Sequence, residues 1–189
     1  MFEEPTFELD HQKLKDVVHY ICSKCSPEEL GNVKLHKILY FSDMLHFQST
    51  GQPLTGVEYQ KQKFGPTARH LGWAVGQLIS ENKLRSEDRD YYGFAKRAYI
   101  SLSAPRNDRI GNVTHLLDDV IDFVCARSAK EISELSHNVA WESAELGEVI
   151  PYYTAIGLEP SFVSDDDLEW ATREAHRIRP EIEAEQDAG

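Results

Sequence analysis

The chain has 189 residues, the length of one domain or of a domain with an appendage. Apolar residues make up 41% of it, which is enough for a hydrophobic core and excludes a chain that is disordered throughout. The net charge of −12 is uneven, because residues 1–109 hold 15 basic and 14 acidic side chains whereas residues 110–189 hold 5 and 18. An acidic surface repels phosphate groups and attracts basic surfaces, so this asymmetry argues against nucleic acid and favours a basic partner.

The sequence also argues against membrane insertion and secretion. No apolar run is longer than the one at residues 38–41, whereas a membrane span needs about 20 residues. Residues 1–5 lack the basic and apolar regions of a signal peptide. The chain has three cysteines, at positions 22, 25 and 125. This number is small and odd, which argues against a disulfide framework. We therefore expect a cytoplasmic protein with free thiols and no membrane contact.

The N-terminal third predicts a short arm and two helices. Residues 1–9 are rich in Glu and are predicted to form the arm. Apolar residues then recur at helical spacing up to Cys25, and Pro27 closes this first helix. Asn32 is a suitable N-cap for a second helix that ends near Gln48. The second helix is apolar around most of its circumference, so it is predicted to lie in the centre of the core.

The middle of the chain predicts β-structure on either side of a third helix. Residues 57–64 alternate weakly and end at Gly65-Pro66, which indicates a short strand followed by a turn. A regular apolar stripe over residues 71–79 predicts the third helix. Residues 84–102 alternate in the manner of an antiparallel hairpin.

The C-terminal half predicts three more helices. Residues 112–126 place apolar side chains on one face and acidic ones on another. A fifth helix begins at Ser128, where Glu131 completes a capping box. A last helix over residues 164–179 has the same signature, and residues 181–189 are predicted to be disordered. The chain is thus predicted to be mainly α, with about six helices and a small antiparallel β element in a single globular domain.

No pattern in the sequence argues for an enzyme. A Gly-rich phosphate loop, a Gly-x-Ser-x-Gly turn and a His-Glu-x-x-His helix are all missing from it. Cys22 and Cys25 have the spacing of a redox dithiol or of half a zinc site, but both fall on the apolar stripe of the first helix. We interpret them as packing residues. The sequence predicts no catalytic residue, no metal and no cofactor.

One face of the predicted fourth helix carries an imidazole and three carboxylates, from His115, Asp118, Asp119 and Asp122. Metal-assisted hydrolysis uses ligands of these types, which gives a metalloenzyme as one hypothesis. The face lies opposite the apolar one, where charged groups are solvated, and one helix cannot surround a cation. We therefore interpret it as a surface that meets a basic partner.

Basic residues in the N-terminal half give an alternative hypothesis. They are interleaved with Tyr59 and Phe64 and consist of Lys34, Lys37, Lys61, Lys63 and Arg69. Such a set can contact phosphates while the aromatic rings stack on bases. Together with the 84–102 hairpin, it would suit a DNA-binding autoregulator that resembles a winged helix. Alternatively, the two lysines of the second helix extend from a mostly buried helix to solvent.

The segment Lys-Leu-His-Lys-Ile-Leu-Tyr-Phe-Ser at residues 34–42 resembles the signature of the SocA-like antitoxin family, also called the Panacea domain. The matching motif positions are Lys34, Leu35, Lys37, Leu39, Tyr40 and Phe41. Large apolar side chains at helical spacing also belong in the core, so these positions have a structural interpretation as well.

Two later segments extend the resemblance to about residues 10–150. Lys63-Phe64-Gly65-Pro66 is similar to the family's lysine-aromatic-Gly-Pro turn, and Trp141 lies in a closing motif that starts with Leu-Ser-His at 135–137. The chain departs from the family at Lys61-Gln62, where the family tends to have Ala-Trp.

The resemblance implies a mostly helical, non-enzymatic bacterial or phage protein that neutralises a cognate toxin by direct binding. In some members of the family, the antitoxin delivers its toxin to a AAA+ protease. We expect an arm at 1–9, a Panacea-like domain at 10–155 and an acidic helical extension at 156–189. The toxin, predicted to be basic, is expected to contact Lys61, Lys63, Phe64, Gly65, Asp118, Asp119 and Asp122.

Overall fold

The structure is a computed structural model, and it describes residues 7–91 and 94–158. Helices are the main elements in these ranges, and two small antiparallel sheets accompany them. The prediction of a mainly α fold with about six helices and a small antiparallel β element is therefore confirmed. The predicted helix over 164–179 and the tail after it lie outside the described residues. Within the described ranges, no helix combines the length and the apolar character that crossing a membrane requires.

Helices α1 (His11–Lys24) and α2 (Asn32–Thr50) provide much of the core. The carboxylate of Asp10 caps α1 by accepting hydrogen bonds from two backbone N–H groups of the first turn. Gly51 ends α2 in the left-handed conformation, which glycine adopts without steric cost. Elements from both halves of the chain pack on α2, so its predicted central position is confirmed.

The N-terminus of α2 differs from the prediction. Gly31 is the N-cap, and Asn32 is the first residue of the helix. The Asn32 side chain instead accepts a hydrogen bond from the hydroxyl of Tyr99 at 3.0 Å. The prediction of Asn32 as the N-cap is therefore wrong. Its side chain bonds to Tyr99, a residue far along the chain, and not to the backbone of the first turn.

The predicted strand over residues 57–64 is reduced to β1 (Tyr59–Gln60). The chain leaves the extended conformation directly afterwards, because the N–H of Gly65 donates to the carbonyl of Gln62 and closes a turn. Strand β2 (Thr67–Ala68) then pairs antiparallel with β1. The strand is therefore real but much shorter than predicted.

The third helix and the hairpin are confirmed. Helix α3 (Leu71–Ser80) buries Leu71, Ala74 and Leu78 of the apolar stripe that predicts it, and it packs on α1. Strands β3 (Leu84–Tyr91) and β4 (Phe94–Ser101) pair antiparallel, in a register that places Leu84 opposite Ser101.

The C-terminal half of the described chain consists of short elements that cover α2. A 3₁₀ turn (Gly111–Val113) precedes α4 (Thr114–Cys125), so the helix starts slightly later than predicted. Helix α5 (Ala129–Leu135) has the predicted capping box, with both hydrogen bonds formed between Ser128 and Glu131. Helix α6 (Val139–Glu142), strand β5 (Val149–Ile150) and a 3₁₀ segment (Tyr152–Leu158) follow. Because β5 pairs with β1, it completes a three-stranded sheet in the order β2-β1-β5.

A fully buried carboxylate joins α2 to the chain before β1. Asp43 accepts hydrogen bonds from the Thr55 N–H at 2.7 Å, from the Thr55 hydroxyl at 2.6 Å and from the Tyr59 hydroxyl at 2.6 Å. Burial raises the pKa of the Asp43 carboxyl, while these donors act in the opposite direction. The three donors compensate the loss of hydration, which is why an acid can occupy this core position.

Candidate partner-binding surface

Two segments of the family motif, α2 and the Gly65-Pro66 turn, meet at the amino group of Lys37. This side chain is only 2% exposed, and its Nζ donates a hydrogen bond to the carbonyl oxygen of Pro66 at 2.8 Å. Burial lowers the pKa of Lys37 to about 7. Lys34 is also buried and donates to the carbonyl oxygen of Cys125 at 3.2 Å. The interpretation that both lysines extend to solvent is therefore wrong, because each amino group has a carbonyl acceptor inside the fold.

The Gly65-Pro66 turn can lie against Lys37 because Gly65 has no side chain. Gly65 has a φ of +92°, a conformation that favours glycine. A Cβ added there would lie 2.7 Å from the Lys37 Nζ and would overlap the hydroxyl oxygen of Ser136. Ser136 follows α5, so this glycine lets α2, the turn and the α5–α6 connection meet at one point.

Trp141 of α6 contacts residues 61–62, which precede this turn. Its indole Nε1 donates to the carbonyl oxygen of Gln62 at 3.2 Å, and its ring stacks on His137 with centroids 4.1 Å apart. The Lys61 Nζ lies 4.1 Å from the indole centroid on the way to the Ala144 carbonyl, to which it donates at 2.7 Å. Lys61, one of the two residues that depart from the family pattern, thus holds the motif tryptophan by a cation–π contact.

The apolar motif residues divide into core and surface. Leu35, Leu39 and Tyr40 are fully buried, as the helical spacing predicts. The Tyr40 hydroxyl donates to the side-chain oxygen of Asn138 at 3.3 Å, and burial raises the pKa of this tyrosine to about 12. Phe41, in contrast, is partly exposed and packs on Phe123 of α4 with ring centroids 6.2 Å apart.

Beside Phe41 lies an apolar groove of about 610 Å³, which sequence analysis did not find. Its walls come from α2, α4, the α5–α6 region and residues 157–158. Exposed apolar side chains line it, namely Leu45, Phe123, Leu135 and Val139. Asp119 is the charged residue of the lining. We refer to this feature as the α2/α4 groove.

The predicted contact residues of the 61–65 segment do not all face outward. Lys63 and Phe64 are exposed, and the Phe64 ring is 66% accessible. Lys61 is half-buried against the tryptophan, and Gly65 is buried. The Phe64 carbonyl accepts a hydrogen bond at 2.9 Å from Ser133 of α5, so this segment is attached to the helix that lines the groove. Partner contact by these residues stays a prediction.

The predicted acidic face of α4 is also divided. Asp118 accepts a hydrogen bond from the Tyr20 hydroxyl at 2.8 Å and lies 3.4 Å from the Lys24 Nζ, so it is used within the fold. Asp119 and Asp122 are exposed and available to a partner. No group of three or more potential metal ligands occurs among the described residues.

The basic residues of the alternative hypothesis are mostly used inside the fold. Lys34 and Lys37 are buried, and Lys61 is half-buried. Arg69 is exposed but forms an ion pair with Glu58 at 2.5 Å. This arrangement gives less support to a phosphate-binding surface than the sequence pattern alone.

The buried position of Lys37 predicts a pH dependence of stability. Its pKa is about 7 in the fold and close to the ordinary 10.5 when unfolded, so the unfolded chain binds more protons between these values. The contribution of Lys37 to the free energy of unfolding should therefore rise with pH in this window, by up to about 1.4 kcal/mol per pH unit. Urea denaturation between about pH 7 and 8.5 should show this rise, because the buried cysteine and tyrosine side chains, whose pKa values are raised in the fold, act in the opposite direction at higher pH. Lys37→Met should flatten it, whereas Lys130→Met, on the exposed surface of α5, should not; an unchanged slope in Lys37→Met would contradict the prediction.

Comparison with known proteins identifies the family. No curated protein and no solved structure matches the chain. The model of the family described as "Antitoxin SocA-like, Panacea domain" matches residues 35–142, which is more than half of the chain. This match covers α2 from Leu35 onward, the Gly65-Pro66 turn, α4 and Trp141, and therefore Lys37 and the turn that meets it. The chain belongs to the SocA-like antitoxin family with the Panacea domain.

Proposed function

We propose that this protein is an antitoxin that neutralises a cognate protein toxin by binding it directly in the α2/α4 groove. The observation that carries the proposal is the groove itself. Leu135 is 50% exposed, Val139 is 63% exposed and Phe123 is 42% exposed, and all three line it. Contiguous apolar side chains at the surface of a folded domain mark an interaction site.

Residues of the family motif shape the groove, which supports its functional role. Phe41, a motif position, and Leu135, from the closing motif, line it together with Asn138. Asn138 also accepts the hydrogen bond from the buried Tyr40 and caps α6 by accepting from the Trp141 N–H at 3.2 Å. The motif thus holds the groove wall in place through Tyr40 and Trp141, while several lining side chains are exposed.

The charge of the surface indicates the chemistry of the toxin segment. Asp119 lies in the lining and Asp122 is exposed one turn further along α4. A matching segment presents an apolar face, such as that of an amphipathic helix, with basic residues beside it. Complementary charges steer the encounter and fix orientation more than they add affinity. Charge reversal at both aspartates should therefore slow association and weaken its salt dependence.

The proposal includes no catalytic step, and the two proteins would meet in the bacterial or phage-infected cytoplasm. An adaptor function, in which the bound toxin is passed to a AAA+ protease, is a further possibility within the same family. A DNA-binding autoregulator is the alternative function.

The test begins with identification of the toxin. Tagged protein is purified gently from its native cell, and a stoichiometric companion is identified by mass spectrometry. The companion should stop growth when expressed alone and be harmless when this protein is co-expressed. Protease subunits in the same complex would support the adaptor function, and retention of operator DNA at physiological salt without a companion would support the alternative.

Surface variants then test the groove. Leu135→Glu and Val139→Glu together should weaken toxin binding by at least about 100-fold, because a carboxylate in the apolar interface loses its hydration. Leu146→Glu is a matched control, since Leu146 is 70% exposed and does not line the groove. Isothermal titration and growth rescue measure the difference. Equal binding by the groove variant and the control would contradict the proposed site.

A further inference from the structure

A close pair of thiols lies at the ends of two helices. The Sγ atoms of Cys25 and Cys125 are 3.6 Å apart, although the residues are 100 positions apart in the chain. Cys25 is the C-cap of α1, and Cys125 is the last residue of α4. Both are free thiols. The structure thus pairs Cys25 with a distant cysteine rather than with its sequence neighbour Cys22.

The two thiols have different acidities, and their surroundings explain why. Cys125 is half-buried, and the amino group of Lys34 is close enough to donate to its backbone carbonyl. The contact with the Cys25 thiol and the positive charge of Lys34 lower the pKa of Cys125, against the opposing effects of burial, Glu29 and Asp122. The same contact, together with burial, raises the pKa of Cys25. Cys125 is therefore the more acidic thiol of the pair, and it lies beside the less acidic Cys25.

We propose that Cys25 and Cys125 form a redox modification site that hydroperoxides convert to a disulfide and that thiol reductants restore. The Cys125 thiolate attacks the terminal oxygen of the hydroperoxide, and the O–O bond breaks. Cys125 becomes a sulfenic acid, and the remaining oxygen fragment takes up one proton and leaves as water or an alcohol. The Cys25 sulfur then attacks the sulfenic sulfur. Its proton and the sulfenic hydroxyl leave as water, and the S–S bond forms.

The geometry permits this second step with small movements. A disulfide needs the sulfurs about 2.05 Å apart, so they must approach by about 1.6 Å. Cys25 has extended backbone angles and Cys125 ends its helix, so the movement that the disulfide requires falls at two helix ends and not within a helix. The disulfide would join α1 to α4, the helix that carries one wall of the α2/α4 groove.

The experiment is chemical and does not depend on the proposed function. The full-length protein is treated with hydrogen peroxide, and the products are mapped by mass spectrometry of non-reduced peptides. The expected product has lost two hydrogen atoms and joins the peptides of Cys25 and Cys125, and dithiothreitol reverses the change. Thermal unfolding of this oxidised form should occur at a higher temperature than that of the reduced form.

Three variants separate this site from general oxidation. Cys25→Ala should accumulate the sulfenic acid on Cys125, which dimedone traps. Lys34→Gln should slow oxidation several-fold. Cys22→Ala is the matched control and should form the disulfide at the normal rate, because burial raises the pKa of the Cys22 thiol to about 12. The proposal is overturned if peroxide links Cys22 to Cys25, or if all three thiols persist under conditions that oxidise free cysteine.

Discussion

Replacement of Gly65 by Ala is expected to lower the free energy of unfolding by about 2–5 kcal/mol. Two costs add at this position. The φ of +92° is unfavourable for any residue with a Cβ. The new methyl group would also lie 2.7 Å from the Lys37 Nζ and overlap the Ser136 hydroxyl. Either the turn moves away from α2, which breaks the hydrogen bond between Lys37 and Pro66, or the buried amino group is displaced.

Gly147, a second glycine with a positive φ, separates the conformational cost from the cost of steric overlap. Gly147 has a φ of +89°, and a Cβ added to it would meet no atom within 4 Å. Gly147→Ala should therefore lose only the conformational part, about 1–2 kcal/mol. Urea denaturation of both variants measures the difference. Equal losses would show that contact with Lys37 and Ser136 does not explain the glycine.

Removal of the buried carboxylate in Asp43→Ala is expected to cost about 3–5 kcal/mol. The variant leaves the Thr55 N–H, the Thr55 hydroxyl and the Tyr59 hydroxyl without their acceptor in a site that is closed to solvent. It also leaves a cavity between α2 and the segment before β1. Thermal or urea denaturation gives the loss directly.

Two further variants test this explanation of Asp43. Tyr59→Phe removes one of the three hydrogen bonds and should cost about 1–2 kcal/mol. Asp119→Ala removes an exposed carboxylate and should change stability by no more than about 0.5 kcal/mol. If Asp43→Ala lowered the free energy of unfolding as little as Asp119→Ala, the hydrogen bonds of the Asp43 carboxylate would only offset the cost of its burial.

The sequence predicts elements well where the signal is local. The stripe of α3, the alternation in β3 and β4, and the Ser128–Glu131 capping box all depend on residues within a few positions of one another, and the structure confirms them. Prediction fails where the local structure depends on a contact that the local sequence does not show. Asn32 does not cap α2 because Tyr99 uses its side chain, and β1 is short because the turn closed by Gln62 and Gly65 follows it.

The candidate site shows the same limit. Resemblance finds the motif positions, but it does not show that Lys37 is buried, because its acceptor is a carbonyl 29 residues away. The α2/α4 groove draws its walls from four separate parts of the chain, so no single segment has a pattern that reveals it. In the same way, the spacing of Cys22 and Cys25 gives no sign that the Cys25 thiol lies beside Cys125 of α4.

The late position of β5 and the 3₁₀ segment after it bears on the biosynthesis of the protein. The hydroxyl of Tyr152 donates to the Val57 carbonyl at 2.7 Å across 95 residues, and residues 157–158 complete the groove. Contacts of such long sequence separation form late in folding, because the intervening loop must first be closed. A nascent chain therefore cannot finish the groove until these residues have left the ribosome. Under the proposed function, a nascent chain cannot bind the toxin in the groove before these residues have emerged.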